Sequence, residues 1–413
     1  MQVVSPWDIA KREVPRTDEP AQTEFSGRRW RLFLLALRTG FLTVLTLGFY
    51  RFWMKTRLRR WYWSAWRPGG HPLEYVGDPW EKLLGFLIAV VFLAFYIGIV
   101  NLLLMFASFS LFNGNFAAYL LSFLGVIPLW FYARYRARRY VLARTRWRGV
   151  RFGLEPGAWG FAGRALWHWF LTIISLGLLW PRKAFYLEKY ITDRTYFGAQ
   201  KLTQAGDWRA LRRPFLGVWL PAIVVAVSGF GTIAWETEAA FIALGISAVV
   251  APFWIVFGLV NYNVKKLRYL TSQKSAGNVQ LGIKPRFWAV TGIYFWGYAL
   301  AGIVVSVLIT PAAIAAILII ESNGLADLGM QRTTIETLPE PVLTALAIAL
   351  YFLIFLVWST LMHAFIRYPL MRHYASTLTV SNSEQIGEIS QRPRDEFGEA
   401  EGFAEALDVG AAI

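Results

Sequence analysis

The sequence predicts a mainly α-helical polytopic membrane protein built from tandem units, each with an interfacial or re-entrant helix and a transmembrane hairpin. Three observations predict it. Of 413 residues, 56% are apolar and 17% aromatic, which is a membrane-class composition. Several uncharged windows reach the roughly twenty residues needed to cross a ~30 Å hydrocarbon layer. Finally, the phrase Phe41-Leu-Thr-Val-Leu-Thr-Leu-Gly48 returns as Phe170-Leu-Thr-Ile-Ile-Ser-Leu-Gly177, an offset of 129 residues (170 − 41) that also carries Gly77-Asp78 onto Gly206-Asp207 and Arg139-Tyr140 onto Arg268-Tyr269. Self-similarity at a fixed long period defines the building block.

Residues 1–24 are polar and broken by Pro6, Pro15 and Pro20, so they read as a disordered cytoplasmic leader without the apolar core of a signal peptide. Unit 1 covers 25–153. It opens with Trp30–Tyr50, a hydrophobic segment with Arg28, Arg29 and Arg31 before it and Arg51, Lys55 and Arg57 after it. A crossing would strand one basic cluster outside and place Arg38 at mid-depth, at ~2.5–3.5 kcal/mol, so the segment is expected to lie at the interface or to re-enter. Trp159–Trp180 opens unit 2 (154–283) with the same signature. Unit 3 (284–382) is shortened: Tyr269 to Tyr374 is 105 residues, against 129 from Tyr140 to Tyr269. Its Trp288–Ile320 run reads as the interfacial element fused to an outgoing span, with Pro311 inside.

Six spans follow from the windows Leu83–Phe106, Ala117–Trp130, Pro214–Ala234, Ala239–Val260, Trp288–Ile320 and Pro341–Phe365. The turns Ser108–Asn115, Trp235–Glu238 and Glu321–Glu340 are uncharged or acidic and face outward, whereas the opposite loops hold nearly all the Lys and Arg. Both termini are then cytoplasmic. Strand-like pieces (69–77, bounded by glycines, then 146–152, 201–206, 278–283 and 374–381) all fall on the basic side, where they could pair into a small sheet. The tail, 383–413, has eight carboxylates against Arg392 and Arg394, a balance of −6; the rest of the chain carries +22, since the total is +16. An excess of cations beside apolar spans points to membrane orientation and anionic lipid rather than to nucleic acid.

The phrases Thr46-Leu-Gly-Phe-Tyr-Arg-Phe-Trp53, Thr56-Arg-Leu-Arg-Arg60, Glu74-Tyr-Val-Gly77 and Arg144-Thr-Arg-Trp-Arg-Gly-Val-Arg-Phe-Gly153 resemble those of the YjgN-type family of bacterial inner-membrane proteins. The resemblance implies a multi-pass protein of the Gram-negative inner membrane. It supplies no activity and no site residues.

The chemistry has to be read from the residues themselves. The absence of cysteine removes disulfides and thiolate metal sites. The four histidines lack paired metal-ligand spacing, no phosphate-cradling Gly-x4-Gly-Lys-Ser loop occurs, and no hydrolytic triad assembles, so neither a cofactor nor an enzymatic role is expected. None of the apolar windows holds Asp or Glu, which argues against ion-coupled transport. The basic-aromatic run Arg51–Trp63 is suited to the headgroup level, with Arg57, Arg59 and Arg60 as candidate contacts to anionic lipid. Arg164 and His168, one helical turn apart in unit 2, form a second candidate pair. Asn101 and His363 are buried polar candidates, Asn101 as an interhelical hydrogen bond. The expected function is a non-enzymatic protein that binds lipid or a small amphiphile. A small-solute permease or channel, and a scaffold docking a partner through its acidic tail, are the alternatives. Glycines in Ser228-Gly-Phe-Gly231 point to close helix packing.

Overall fold

The computed structural model describes residues 20–111, 117–327, 340–382, 386 and 389–392. Among these, the chain alternates short strands with pairs of helices. In order, the elements are β1 (Ala21–Phe25), α1 (Arg29–Leu45), α2 (Arg51–Ala65), β2 (Trp66–Pro68), β3 (Leu73–Tyr75), α3 (Pro79–Leu111), α4 (Ala117–Ala143), β4 (Thr145–Trp147), β5 (Val150–Leu154), α5 (Ala158–Ile174) and α6 (Trp180–Thr192). They continue with β6 (Thr195–Phe197), β7 (Gln200–Gln204), α7 (Arg212–Trp235), α8 (Glu238–Ser272), β8 (Lys274–Ala276), β9 (Val279–Ile283), α9 (Phe287–Asp327), α10 (Glu340–Leu361), a π-helical turn (Met362–Arg367), α11 (Tyr368–Thr377) and β10 (Leu378–Ser381).

The strands form one antiparallel sheet in the order β2-β1-β10-β9-β8-β7-β6-β5-β4-β3. Its two end strands, β2 and β3, are joined by the turn Gly69–Pro72 and approach one another without a ladder, so the sheet is nearly a closed ring. The expected small sheet is thus a ten-stranded one, and closure is what lets three-residue strands persist: each has a partner for its backbone groups. The pairings recur at the sequence offset. Tyr75 faces Thr145 and Gln204 faces Lys274; Trp147 faces Val150 and Ala276 faces Val279; Phe25 faces Trp66 and Leu154 faces Thr195. Two-residue loops join neighbouring strands, as at Arg148-Gly149, where φ is 52° and 79°, the primed geometry whose twist suits a hairpin.

Two expectations are corrected here. Ala21–Glu24 is not leader but the start of β1, which pairs with both β2 and β10. Tyr374–Thr377 closes α11 rather than opening a strand. The Trp288–Ile320 run lies within one continuous helix, α9, with Pro311 inside it.

Trp147, Phe197, Val279, Val380 and Ile386 fill the ring. Ile386 belongs to the start of the acidic tail, so this part of the tail packs on the chain itself. Ala199 N–H donates to the Ser390 carbonyl at 2.9 Å, Arg151 N–H to Gln391 Oε1 at 3.1 Å, and the Arg392 guanidinium covers the Tyr196 ring at 4.3 Å. Residues 1–19, the acidic tail beyond Arg392, most of the Glu321–Glu340 loop and the Asn101 side chain lie outside the described residues.

Five helical stretches among the described residues are long and apolar enough to cross a membrane: Pro79–Val100, Trp208–Trp235, Glu238–Ser272, Phe287–Pro311 and Ala347–Thr377. Only 11–28% of each apolar window is buried inside the protein, leaving the outward faces for lipid, as a polytopic membrane protein requires. In the α7–α8 hairpin the backbones meet at Gly217 and Gly258, where a Cβ on Gly258 would collide with the Gly217 carbonyl, and Ser228 and Ser247 hydroxyls bond at 2.7 Å. Small residues do hold these helices together, chiefly at this crossing.

Two helical pairs are not in that group: α1–α2 and α5–α6. An α-helix of 17 residues is only ~25 Å long. Each pair leaves the ring by one strand and returns by its ladder partner, so both ends lie on the same side. The tips are built alike. Gly48 N–H reaches the Thr43 carbonyl and Gly177 N–H the Thr172 carbonyl, both at 2.7 Å, with Leu47 and Leu176 in the left-handed region at φ 51° and 48°. These are Schellman caps carrying leucine where glycine is usual. Leu47 is 86% exposed and Leu176 75%, so each tip projects an apolar point.

Candidate functional site

The first hairpin borders an open cavity of about 810 Å³. Helical periodicity builds two of its walls. On α1, Arg31, Leu35 and Arg38 fall at i, i+4 and i+7 on one face; on α2, Arg57, Trp61 and Ser64 do the same. Arg28, just before α1, and Arg67, in β2, close the end nearest the ring. The hairpin is fixed from behind by the buried cluster Leu32, Ala36, Leu58, Tyr62 and Tyr368, and the Tyr368 hydroxyl donates to the Gly27 carbonyl at 3.0 Å. Gly27 lies against Trp61 so closely that a Cβ would sit 2.6 Å from the indole.

Five arginines therefore border one space, and among the described residues no carboxylate lines it. Among the described residues the ion pairs lie elsewhere, as at Arg144–Glu81 (2.7 Å), Lys201–Glu155 (2.8 Å) and Lys274–Glu188 (2.5 Å). Arg57 covers the Tyr50 ring at 5.7 Å, which leaves its donors for other work. Arg67 Nε is buried with no acceptor among the described residues, which costs free energy. Leu34, Leu35 and the Trp61 ring add an apolar wall. The space suits a ligand that is anionic at one end and apolar along its flank.

Of the residues singled out in the sequence, Arg57 lines this cavity. Arg59 and Arg60 do not. Arg59 is 3% exposed and donates to the Tyr75 hydroxyl at 3.2 Å, and Arg60 donates to the Gly77 carbonyl at 2.8 Å. Both tie α2 to the β3 region. Arg28, Arg31, Arg38 and Arg67 are the additions. In the sequence Arg28 and Arg31 carry the competing meaning of flanking charge and Arg38 that of a cost of crossing, although the spacing 31, 38 sets two of them along one side of α1.

Arg164 and His168 are not brought to an open anion site. The buried His168 imidazole stacks on Tyr186 with centroids 5.3 Å apart, and burial first, then Arg182 and Arg164, pushes its pKa below the ordinary value, so it stays uncharged at neutral pH. Arg164 donates to the Gly160 carbonyl of its own helix and covers the Tyr190 ring at 4.7 Å. His363, in the π-helical turn, shares a 3.1 Å hydrogen bond with the Tyr62 hydroxyl and lies 3.5 Å from Arg367, which makes it a tie between the first hairpin and the last span. No group of three His, Asp or Glu side chains able to hold a metal occurs among the described residues.

No curated protein and no solved structure matches this chain. A family model described as bacterial protein of unknown function (DUF898) matches residues 20–295, which take in β1, the α1–α2 and α5–α6 hairpins, the arginine cavity and most of the ring. The chain belongs to that family, the YjgN-type family its sequence phrases resemble.

Proposed function

We propose that this protein is a non-enzymatic component of the bacterial inner membrane that binds an anionic lipid or a similar amphiphile in the cavity between α1 and α2. The observation that carries the reading is the gathering of Arg28, Arg31, Arg38, Arg57 and Arg67 around about 810 Å³ with an apolar wall and, among the described residues, no lining carboxylate. The exposed apolar tip at Leu45, Leu47 and Phe49 supports it, because a hairpin dipped into a leaflet brings the cavity to headgroup depth.

In the same reading the ring is cytoplasmic, six spans cross the membrane, and the chain is a tandem repeat. The matched strand registers 129 residues apart support the repeat, and the acidic Trp235–Glu238 turn at the end away from the ring supports the orientation. The sixth span would be α4.

The test is to purify the full-length chain and the triple variant Arg31→Gln, Arg38→Gln, Arg57→Gln from the same membranes and to measure retained phospholipid by native mass spectrometry. The variant is expected to lose about tenfold in affinity for anionic lipid, the effect of ~1.4 kcal/mol of charge-assisted hydrogen bonding. Equal retention by both proteins would end the proposal.

A further inference from the structure

We infer that the cavity selects a lipid whose head is a phosphomonoester or diphosphate over the common phosphodiester lipids; the inference rests on the lipid-binding reading above and names its ligand class. Arginine stays protonated at any physiological pH, so the cavity carries five positive charges whether filled or empty. A diester headgroup such as that of phosphatidylglycerol brings one negative charge and two unesterified phosphate oxygens, leaving most of the cavity's charge unbalanced. A phosphomonoester brings −1.5 to −2 at pH 7 and three strong acceptor oxygens, and a diphosphate brings more of both. Guanidinium forks match such terminal phosphates by paired N–H···O bonds.

The second hairpin supports the assignment by contrast. At the positions 129 residues after Arg28, Arg31, Arg38, Arg57 and Arg67 it has Gly157, Gly160, Trp167, Tyr186 and Tyr196. The same backbone plan therefore folds without a single one of the five arginines. Their presence in the first hairpin is not demanded by the fold, and their joint convergence on one cavity is the feature a multiply charged ligand accounts for.

The class also covers a free phosphate compound, and the experiment separates the two sources. Full-length protein in phosphatidylcholine nanodiscs is titrated with dioleoyl phosphatidate, dioleoyl phosphatidylglycerol and a polyprenyl diphosphate, and separately with inorganic pyrophosphate. The phosphatidate and the diphosphate lipid are expected to bind at least about tenfold tighter than phosphatidylglycerol at pH 7.5. The phosphatidate advantage should shrink at pH 5, below its second pKa of ~6. Arg31→Gln with Arg38→Gln should erase the preference. Equal binding of phosphatidate and phosphatidylglycerol overturns the inference while leaving the lipid-binding reading intact, and binding of neither overturns both. Displacement of the lipid by equimolar pyrophosphate would overturn the lipid as the source of the phosphate. The wild-type comparison needs no variant, so the outcome does not depend on whether the arginine variants fold.

Discussion

The two short helical hairpins, α1–α2 and α5–α6, share a tip and differ inside. In α1–α2 the interior is a cavity walled by arginine; in α5–α6 the corresponding space is closed by Tyr190, whose hydroxyl donates to the Gly157 carbonyl at 2.9 Å and whose ring is sandwiched near Arg164 and Arg194. Tyr190 also joins Phe131, Tyr135, Leu154 and Phe161 in a buried cluster that docks the second hairpin onto α4. Gly157 and Gly160 make room for it: a Cβ at either would come within 2.8 Å of the Tyr190 hydroxyl. The strand ladder and the tip specify a hairpin. Whether it holds a core or a binding space is decided by a handful of side chains between them.

The contrast is most sharply broken at its aromatic pair. Tyr190→Ala should cost ~3–5 kcal/mol, because it empties a packed core. Its counterpart Trp61→Ala borders a space that is already open and should cost less than half as much. Chemical unfolding in detergent checks both, and equal losses would mean that the first hairpin is as closed as the second.

A smaller effect separates the charges. Arg59 and Glu188 occupy the same position in the two hairpins (59 + 129 = 188). Burial raises the Glu188 pKa, but Lys274, then Arg138 and Lys266, more than reverse this and hold it at about 2. With the folded value depressed below an unfolded value of ~4.3, Glu188 adds stability above that pH and loses it as pH falls from ~4.3 toward 2. Glu188→Gln should therefore flatten the stability profile over this acid window and cost on the order of 2 kcal/mol at pH 7, a figure reduced for the partial exposure of the pair. An unchanged acid midpoint would contradict the pairing.

The smallest effect tests what is common. Leu47→Gly and Leu176→Gly each remove a left-handed leucine and should raise thermal stability in detergent by ~1 kcal/mol. The same changes should weaken attachment of the tips to vesicles, and a matched response of the two sites is expected. A gain at one tip alone would show that the caps are not equivalent.

Much of this was legible in the sequence because it is local. Apolar windows marked the helical stretches long enough to cross a membrane, and the Phe41–Gly48 phrase and its echo marked two places that share one backbone, though not that each holds a helix end. Strands β3, β5, β7 and β9 were visible through glycine boundaries and alternation. β2 and β8 were not, because Trp66-Arg-Pro68 and Lys274-Ser-Ala276 are too short to show a period and owe their conformation to partners supplied elsewhere. Closure of the ring is wholly non-local. At the site, Arg57 was readable, but consecutive Arg59 and Arg60 could not be sorted into inward and outward without the contacts of Tyr75 and Gly77. Arg28, Arg31 and Arg38 were hidden by a competing meaning, since cations beside apolar segments also report orientation.

The pairing of Ala21 with Val380 bears on how the protein is made. The first strand leaves the ribosome 359 residues (380 − 21) before its partner, which at ~5–20 residues per second is a wait of roughly 20–70 s. Throughout that interval one long edge of β1 stays unsatisfied while the helices behind it are being threaded into the bilayer. Premature termination anywhere before β10 would release a product with its helices inserted and its ring unsealed, a form that quality-control proteases could recognise by that bare edge.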